Sequence, residues 1–195
     1  MSKLVGTPGQ TVGPFFHYGM PFLGGPQIAE PHSPGAIVLT GRVLDGEGQP
    51  IPDAMVEIWQ RDADGSIPRA RSVLRRENQM FSNPVHRESH GFTGFGRAAT
   101  DDHGVYRFWT VNPGAGDDGS APFFAAIVFA RGLLNKLHTR IYLPENADAL
   151  GADPLLSVLT DDERATMVAT RDERGWLHHD IRLQGDGETV FLAFN

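Results

Sequence analysis

The chain has 195 residues, with 17 Lys and Arg against 24 Asp and Glu, so its formal net charge is −7. This length fits one domain, or one domain with a substantial arm. The acidic balance argues against nucleic acid as the main partner. No apolar run approaches the roughly 20 residues that a membrane helix needs, and the first residues lack the apolar core of a secretion signal. We therefore expect no membrane partner and a cytoplasmic location.

The chain contains no cysteine. This excludes disulfides, thiolate zinc sites, iron–sulfur clusters and a cysteine nucleophile. Any metal would need His, Tyr, Asp or Glu ligands. The 23 glycines and 14 prolines favour short strands joined by turns over long helices, which indicates an all-β fold.

Residues 1–34 are rich in Gly, Pro and Phe and show no period. A terminal tail that is disordered is one interpretation. Large exposed apolar side chains would, however, reduce solubility. We therefore predict an N-terminal arm over 1–34 that packs on its own domain or on a partner, followed by one domain over 35–195.

Hydrophobic alternation begins at Ile37, where Leu39, Gly41 and Val43 share one face of a predicted strand. A second strand is predicted over 54–59. The Gly- and Asp-rich turn between the two strands favours a hairpin-like unit.

The segment 60–97 is irregular and polar, and a loop of this length is often functional. A helical turn over 72–80 is one expectation within it. Further strands are expected later in the chain, at 105–111, at 123–130 as a strand buried on both faces, at 137–143, and in a closing hairpin of 181–183 with 189–194.

One helix is predicted late in the chain. Thr160 and Glu163 form a capping-box pattern, in which each side chain bonds the other residue's backbone N–H. Acidic residues in the first turn also complement the helix dipole, and we expect the helix to end near Thr170. The pattern as a whole predicts a β-sandwich with one short late helix and an extended N-terminal arm.

The histidines give no clear metal site. His178 and His179 are adjacent, and adjacent side chains of a strand point to opposite faces. His86 and His90 have helical spacing, but Arg87 stands where the zincin pattern requires Glu. The residues by themselves therefore offer no complete catalytic constellation.

Several segments, taken together and in order, resemble the intradiol ring-cleaving dioxygenases. The matching segments are TPGQTVGPF at 7–15, GRVLDG at 41–46, VEIWQ at 56–60, FGR at 95–97 with TD at 100–101, VNPG at 111–114, FARG at 129–132, HTR at 138–140 and QGDGETVF at 184–191. Each segment alone is weak, and the combination spans nearly the whole chain.

The resemblance implies a β-sandwich and a non-haem Fe³⁺ held by two Tyr and two His. It also implies cleavage of 3,4-dihydroxybenzoate by O₂ to 3-carboxy-cis,cis-muconate. The four positions that match the family's iron ligands hold Ile67, Gly116, Phe123 and Ala125 here. We therefore predict that this chain binds no metal and has no catalytic residue. We also predict that side chains of the core fill the position of the family's iron site. A homologous beta subunit is expected to carry the iron.

The resemblance also implies which residues line the substrate pocket at the boundary with that partner. They are Thr11, Gly13, Pro14 and Phe15 of the arm, together with Arg131. An arginine suits an anionic aromatic acid. The alternative for Arg131 is a structural salt bridge or an exposed strand end, and the alternative for the arm is self-packing. Two other functions stay open: a non-enzymatic prealbumin-like binding module, and a single-chain intradiol enzyme with a relocated site.

Overall fold

The computed structural model describes residues 19–75 and 85–194. Eleven strands in this part of the chain form two larger sheets and one two-stranded ribbon. The strands are β1 (Ala36–Leu44), β2 (Met55–Gln60), β3 (Ser72–Arg75), β4 (His86–Ser89), β5 (Phe95–Ala99), β6 (Val105–Val111), β7 (Phe123–Phe129), β8 (Leu137–Tyr142), β9 (Thr170–Arg171), β10 (Leu177–His178) and β11 (Ile181–Arg182). The helices are α1 (Ala147–Ala152), a 3-10 helix (Leu156–Val158) and α2 (Asp161–Ala165). Within these residues no helix has the length and apolar character needed to cross a membrane.

Strand β1 is the centre of the first sheet. It pairs antiparallel with β6 on one side and parallel with β10 and β11 on the other. The second sheet has the order β5-β2-β7-β8, with every pair antiparallel. Strands β3 and β4 form the separate ribbon.

The two sheets face each other across an apolar core. Leu39 and Phe108 from the first sheet and Ile58, Phe124 and Ile141 from the second are all 0% exposed. Burial of a side chain of this size contributes about 1.5–3 kcal/mol relative to its exposed state. The predicted β-sandwich is therefore present, with its core between the sheets.

The predicted hairpin of β1 and β2 is wrong. The two strands lie in different sheets, and the turn between them carries the chain from one sheet to the other. An isolated bridge joins Leu44 to Pro50, and the Ile51 N–H donates to the Val43 carbonyl at 2.8 Å. Alternation identifies a strand but not its partner, which long-range packing decides.

The expected helical turn at 72–80 is also wrong in its described part. Ser72–Arg75 is strand β3, and 76–80 lie outside the described residues. Strand β7 is buried on one face rather than two, because Phe124 and Val128 are 0% exposed while Phe123 and the alternate residues are half-buried.

Helix α2 begins with the predicted capping box of Thr160 and Glu163. It ends at Ala165 rather than near Thr170. The Tyr142 N–H donates to the Met167 carbonyl at 2.8 Å, so the chain after the helix is already bound to β8. This tertiary pairing ends the helix early.

The predicted closing hairpin is present only in part. Strand β11 pairs with β1, and residues 189–194 are not in strand conformation. The Thr189 N–H still donates to the Arg182 carbonyl at 3.0 Å across the Gly-rich turn.

The described part of the predicted arm packs on the sandwich. The Arg97 N–H donates to the Gly25 carbonyl at 2.9 Å, and the Trp109 N–H donates to the Pro26 carbonyl at 3.0 Å. Phe22 and Ile28 are each 8% exposed. Residues 1–18 lie outside the described residues, and the boundary at residue 34 remains a prediction.

His179 is buried where β10 leaves the first sheet. Its Nε2 lies 2.9 Å from the Thr166 carbonyl oxygen, which can only accept a hydrogen bond, so Nε2 carries a proton. Nδ1 is buried and has no hydrogen-bond partner in the described part of the chain. Burial lowers the pKa of His179, and the Thr166 carbonyl and the Asp180 carboxylate oppose this effect without reversing it. The folded protein therefore keeps this imidazole neutral.

The fold should therefore lose stability in mild acid. Below the ordinary histidine pKa of about 6.5, the unfolded chain takes up a proton that buried His179 does not. Stability then falls with pH, by at most about 1.4 kcal/mol per pH unit from this group. We expect His179→Gln to flatten the dependence of Tm on pH between pH 7.5 and 5.5.

The matched control is His103→Gln, at an exposed turn position. This variant should keep the wild-type slope of Tm against pH. Equal slopes for His179→Gln and the wild type would contradict the assignment.

Candidate functional site

Three of the four positions predicted to match the family's iron ligands border one cavity. Ile67, Gly116 and Phe123 line a space of about 250 Å³ beside Trp59. Ala125 follows two residues after Phe123 on the same face of β7, opposite Trp59 in the β2 register. The long loop after β2, the loop before β7 and the start of β7 thus bring together positions that are far apart in the sequence.

The expectation that this site is filled as core is wrong. Ile67 is 66% exposed at its mouth, and Phe123 is half-buried. Glycine and alanine at two of the four positions occupy much less volume than Tyr or His would. The space therefore remains open as a cavity.

Arg61 places a positive charge in the wall of the cavity. An ideal Cβ on Gly116 would lie 2.5 Å from the Arg61 Cζ, so the guanidinium covers the place where a side chain at 116 would begin. Nη1 donates to the Gly65 carbonyl at 3.0 Å, and Nη2 lies 3.4 Å from Asp118 Oδ2. Arg61 was not singled out from the sequence, because its position depends on how two loops close.

A hydrogen bond from the Ser120 N–H, at 3.2 Å, lowers the pKa of Asp118, and the Arg61 charge adds to this effect. The Asp118 carboxylate is therefore ionised at neutral pH. It faces solvent as well as Arg61, since its side chain is 51% exposed.

A buried carboxylate binds the backbone of Ala121, which lines the cavity. Asp153 is 0% exposed and accepts hydrogen bonds from the Ala121 N–H at 2.9 Å and from the Tyr142 hydroxyl at 3.1 Å. Burial raises the pKa of Tyr142 to about 12, so the phenol stays protonated and donates. The Arg140 guanidinium lies 4.1 Å from the centroid of the Phe123 ring. These contacts fix the start of β7.

The residues at this site do not fit a ferric ion. The side chains of Ile67, Gly116, Phe123 and Ala125 carry no oxygen or nitrogen atom that could coordinate a metal. Across residues 19–75 and 85–194, no group of three or more His, Asp or Glu is placed to hold one.

Arg131 lies at the other end of β7. It occupies the second position of a turn in which the Leu133 N–H donates to the Ala130 carbonyl at 3.3 Å and Gly132 has φ +88°. The six steps of β7 alone span about 20 Å, so the structure separates Arg131 from the cavity. The predicted arm residues Thr11, Gly13, Pro14 and Phe15 lie outside the described residues.

Asp53 pairs with Arg131. The carboxylate is largely buried, with 18% side-chain exposure, whereas the Arg131 side chain is 59% exposed. Asp53 has φ +58°, a left-handed conformation that is uncommon outside glycine but that Asp adopts more readily than most residues. Its Oδ1 is buried without a partner among the described residues. The salt bridge expected as the alternative role of Arg131 is thus present. Much of the guanidinium nevertheless remains accessible.

Comparison with known proteins identifies the family. A family model described as Dioxygenase matches residues 26–122. The protocatechuate 3,4-dioxygenase alpha chain of Burkholderia cepacia is 37% identical, with the match covering 98% of this chain and 99% of that protein. This chain belongs to the intradiol ring-cleavage dioxygenase family.

Two further proteins are similar to this chain. The protocatechuate 3,4-dioxygenase beta chain of Burkholderia cepacia is 34% identical over 68% of this chain and 54% of that protein. Among solved structures, the dioxygenase domain of a carbohydrate-binding fusion protein from Streptomyces sp. SirexAA-E has a TM-score of 0.58 at 18% identity, covering 96% of this chain and 99% of that one. The second match supports the β-sandwich fold and nothing more specific.

Proposed function

We propose that this chain is the alpha subunit of a protocatechuate 3,4-dioxygenase. With a homologous iron-bearing beta subunit, it would cleave 3,4-dihydroxybenzoate by O₂ between the two hydroxylated carbons to give 3-carboxy-cis,cis-muconate. One observation carries this proposal: similarity to an alpha chain extends over the full length of both proteins. A cytoplasmic location remains part of the proposal.

The residues at the cavity support an enzyme in which one subunit holds the iron and the other does not. The four positions predicted to match the iron ligands hold residues without coordinating atoms, so the Fe³⁺ would belong to the partner. This chain would contribute residues that hold the two subunits together and residues that line the substrate pocket. The full-length match to an enzyme subunit disfavours the alternative of a non-enzymatic prealbumin-like module.

We propose that Arg131 contacts the substrate carboxylate in the partner's site. Its exposed guanidinium lies too far from the chain's own cavity to serve a ligand there. Asp53 would orient it, because a buried carboxylate fixes one edge of the guanidinium while the rest stays accessible. The arm residues Thr11, Gly13, Pro14 and Phe15 would line the same pocket by resemblance.

The experiment that tests the proposal compares the chain alone with the chain co-expressed with an iron-bearing beta chain. We expect a stable complex with ring-cleaving activity and stoichiometric iron. The chain alone should show neither stoichiometric iron nor a visible phenolate-to-iron absorption band. Stoichiometric iron in the isolated chain, or full activity of the beta chain without it, would refute the proposal.

Replacing Arg131 should weaken substrate binding in the assembled enzyme. Arg131→Ala removes a charge-assisted hydrogen bond, which contributes about 1.5–3 kcal/mol, so we expect KM to rise roughly 10- to 100-fold with a smaller change in kcat. Steady-state kinetics with 3,4-dihydroxybenzoate measures both constants.

The matched control for this variant is Arg42→Ala. Arg42 is a similarly exposed arginine that pairs with Asp180 in the other sheet. The Arg42→Ala variant should leave the KM for 3,4-dihydroxybenzoate unchanged. An unchanged KM in Arg131→Ala would remove Arg131 from the pocket while leaving the assembly proposal standing.

A further inference from the structure

We propose that the cavity between Trp59 and Phe123 is a binding site for a small aromatic ring that carries one carboxylate. This site is separate from the pocket to which Arg131 is assigned and would lie wholly within this chain. It does not depend on the proposed function, because it follows from the geometry of the cavity itself.

The size and lining of the cavity fit a single ring. An apolar cavity of about 150 Å³ accommodates benzene, and this one measures about 250 Å³, which leaves room for one substituent. Its apolar walls come from Trp59, Ile67, Pro68, Ala121, Pro122 and Phe123. Small-molecule sites are typically apolar with a few placed polar groups.

Arg61 supplies the polar group that selects an anion. Its side chain is 24% exposed, so fewer water molecules contact its guanidinium than contact that of a surface arginine. Its acidic neighbours Asp117 and Asp118 lie 3.9 and 3.4 Å away and are 98% and 51% exposed. Exposed pairs of this kind contribute little. A ligand carboxylate could therefore replace Asp117 and Asp118 as the partner of Arg61 and form a bidentate hydrogen bond with the guanidinium.

The site is preformed rather than assembled by the ligand. The Gly114 N–H donates to the Asp62 carbonyl at 2.9 Å, and an ideal Cβ on Gly114 would lie 2.4 Å from the Gly65 nitrogen. The two loops that border the cavity therefore meet backbone to backbone. A rigid site of this kind binds with little ordering of its own side chains.

The test is a titration of the full-length chain with benzoate, observed by NMR of the tryptophan indole N–H groups. The chain has three tryptophans, and Trp59→Phe assigns the signal of interest. We expect benzoate to shift the Trp59 signal saturably at millimolar concentration and to leave that of Trp176, which lines a different cavity, in place. Benzyl alcohol, which has the ring without the charge, should bind at least tenfold more weakly.

Two variants test the role of charge. Arg61→Gln should weaken benzoate at least tenfold and leave benzyl alcohol unchanged. Ile67→Glu places a negative charge at the exposed mouth, where folding should tolerate it, and should also weaken benzoate. The proposal is overturned if benzoate gives no saturable shift of Trp59, or if its affinity is the same in the wild type and in the folded variants.

Discussion

Gly41→Ala is expected to lower the free energy of unfolding by about 3 kcal/mol. An ideal Cβ at this position of β1 would lie 1.7 Å from the His179 carbonyl oxygen. That oxygen accepts a hydrogen bond of 2.6 Å from the buried Tyr106 hydroxyl. A methyl group must therefore push two strands apart and weaken a buried hydrogen bond, and overpacking of a core commonly costs about 1–3 kcal/mol by itself. Urea unfolding followed by tryptophan fluorescence measures the loss.

The control for this substitution is Gly151→Ala in helix α1. Apart from its chain neighbours and the backbone of its own helix, no atom lies within 4 Å of an ideal Cβ there, and alanine favours helix over glycine by roughly 1 kcal/mol. This variant should be neutral or slightly more stable. Equal unfolding midpoints for the two variants would contradict the steric argument.

Arg97→Met should destabilise the fold by about 3–5 kcal/mol. The Arg97 Nε and Nη2 lie 2.7 and 2.6 Å from Glu57 Oε1, and the two side chains are 14% and 10% exposed. The guanidinium also donates to the Met20 carbonyl at 2.6 Å and packs over the Phe22 ring. Loss of the arginine leaves a buried carboxylate without its charge partner and releases the segment that covers this face.

Two controls separate charge from packing. Arg42→Met breaks an exposed pair with Asp180, and should cost less than about 1 kcal/mol. The double variant Glu57→Gln/Arg97→Met removes the stranded charge, so it should be more stable than Arg97→Met alone. A double variant no more stable than the single one would show that packing, not charge, accounts for the loss.

The elements that local sequence determines were predictable. Alternation placed β1 correctly, and the capping box of Thr160 and Glu163 marked the start of α2. Strand pairing was not predictable, because whether β2 joins β1 or β7 depends on contacts distant in sequence.

The site also combines features that were predictable from the sequence with features that depend on long-range contacts. The resemblance to a family placed Ile67, Gly116 and Phe123 at equivalent positions, and the structure brings them to one cavity. The cavity and its charge were missed, since Arg61 reaches Gly116 only when two loops fold together. The contact of Asp53 with Arg131 likewise joins residues 78 positions apart.

The separation of Arg131 from the cavity along β7 makes the two ends of the strand energetically independent. Substitutions farther apart than about 10 Å, without shared partners, usually have additive effects. Residues around Arg61 can therefore change without altering the pairing of Arg131 with Asp53. In a chain with this arrangement, the residues at the cavity end of β7 can change during evolution while selection preserves those at the Arg131 end.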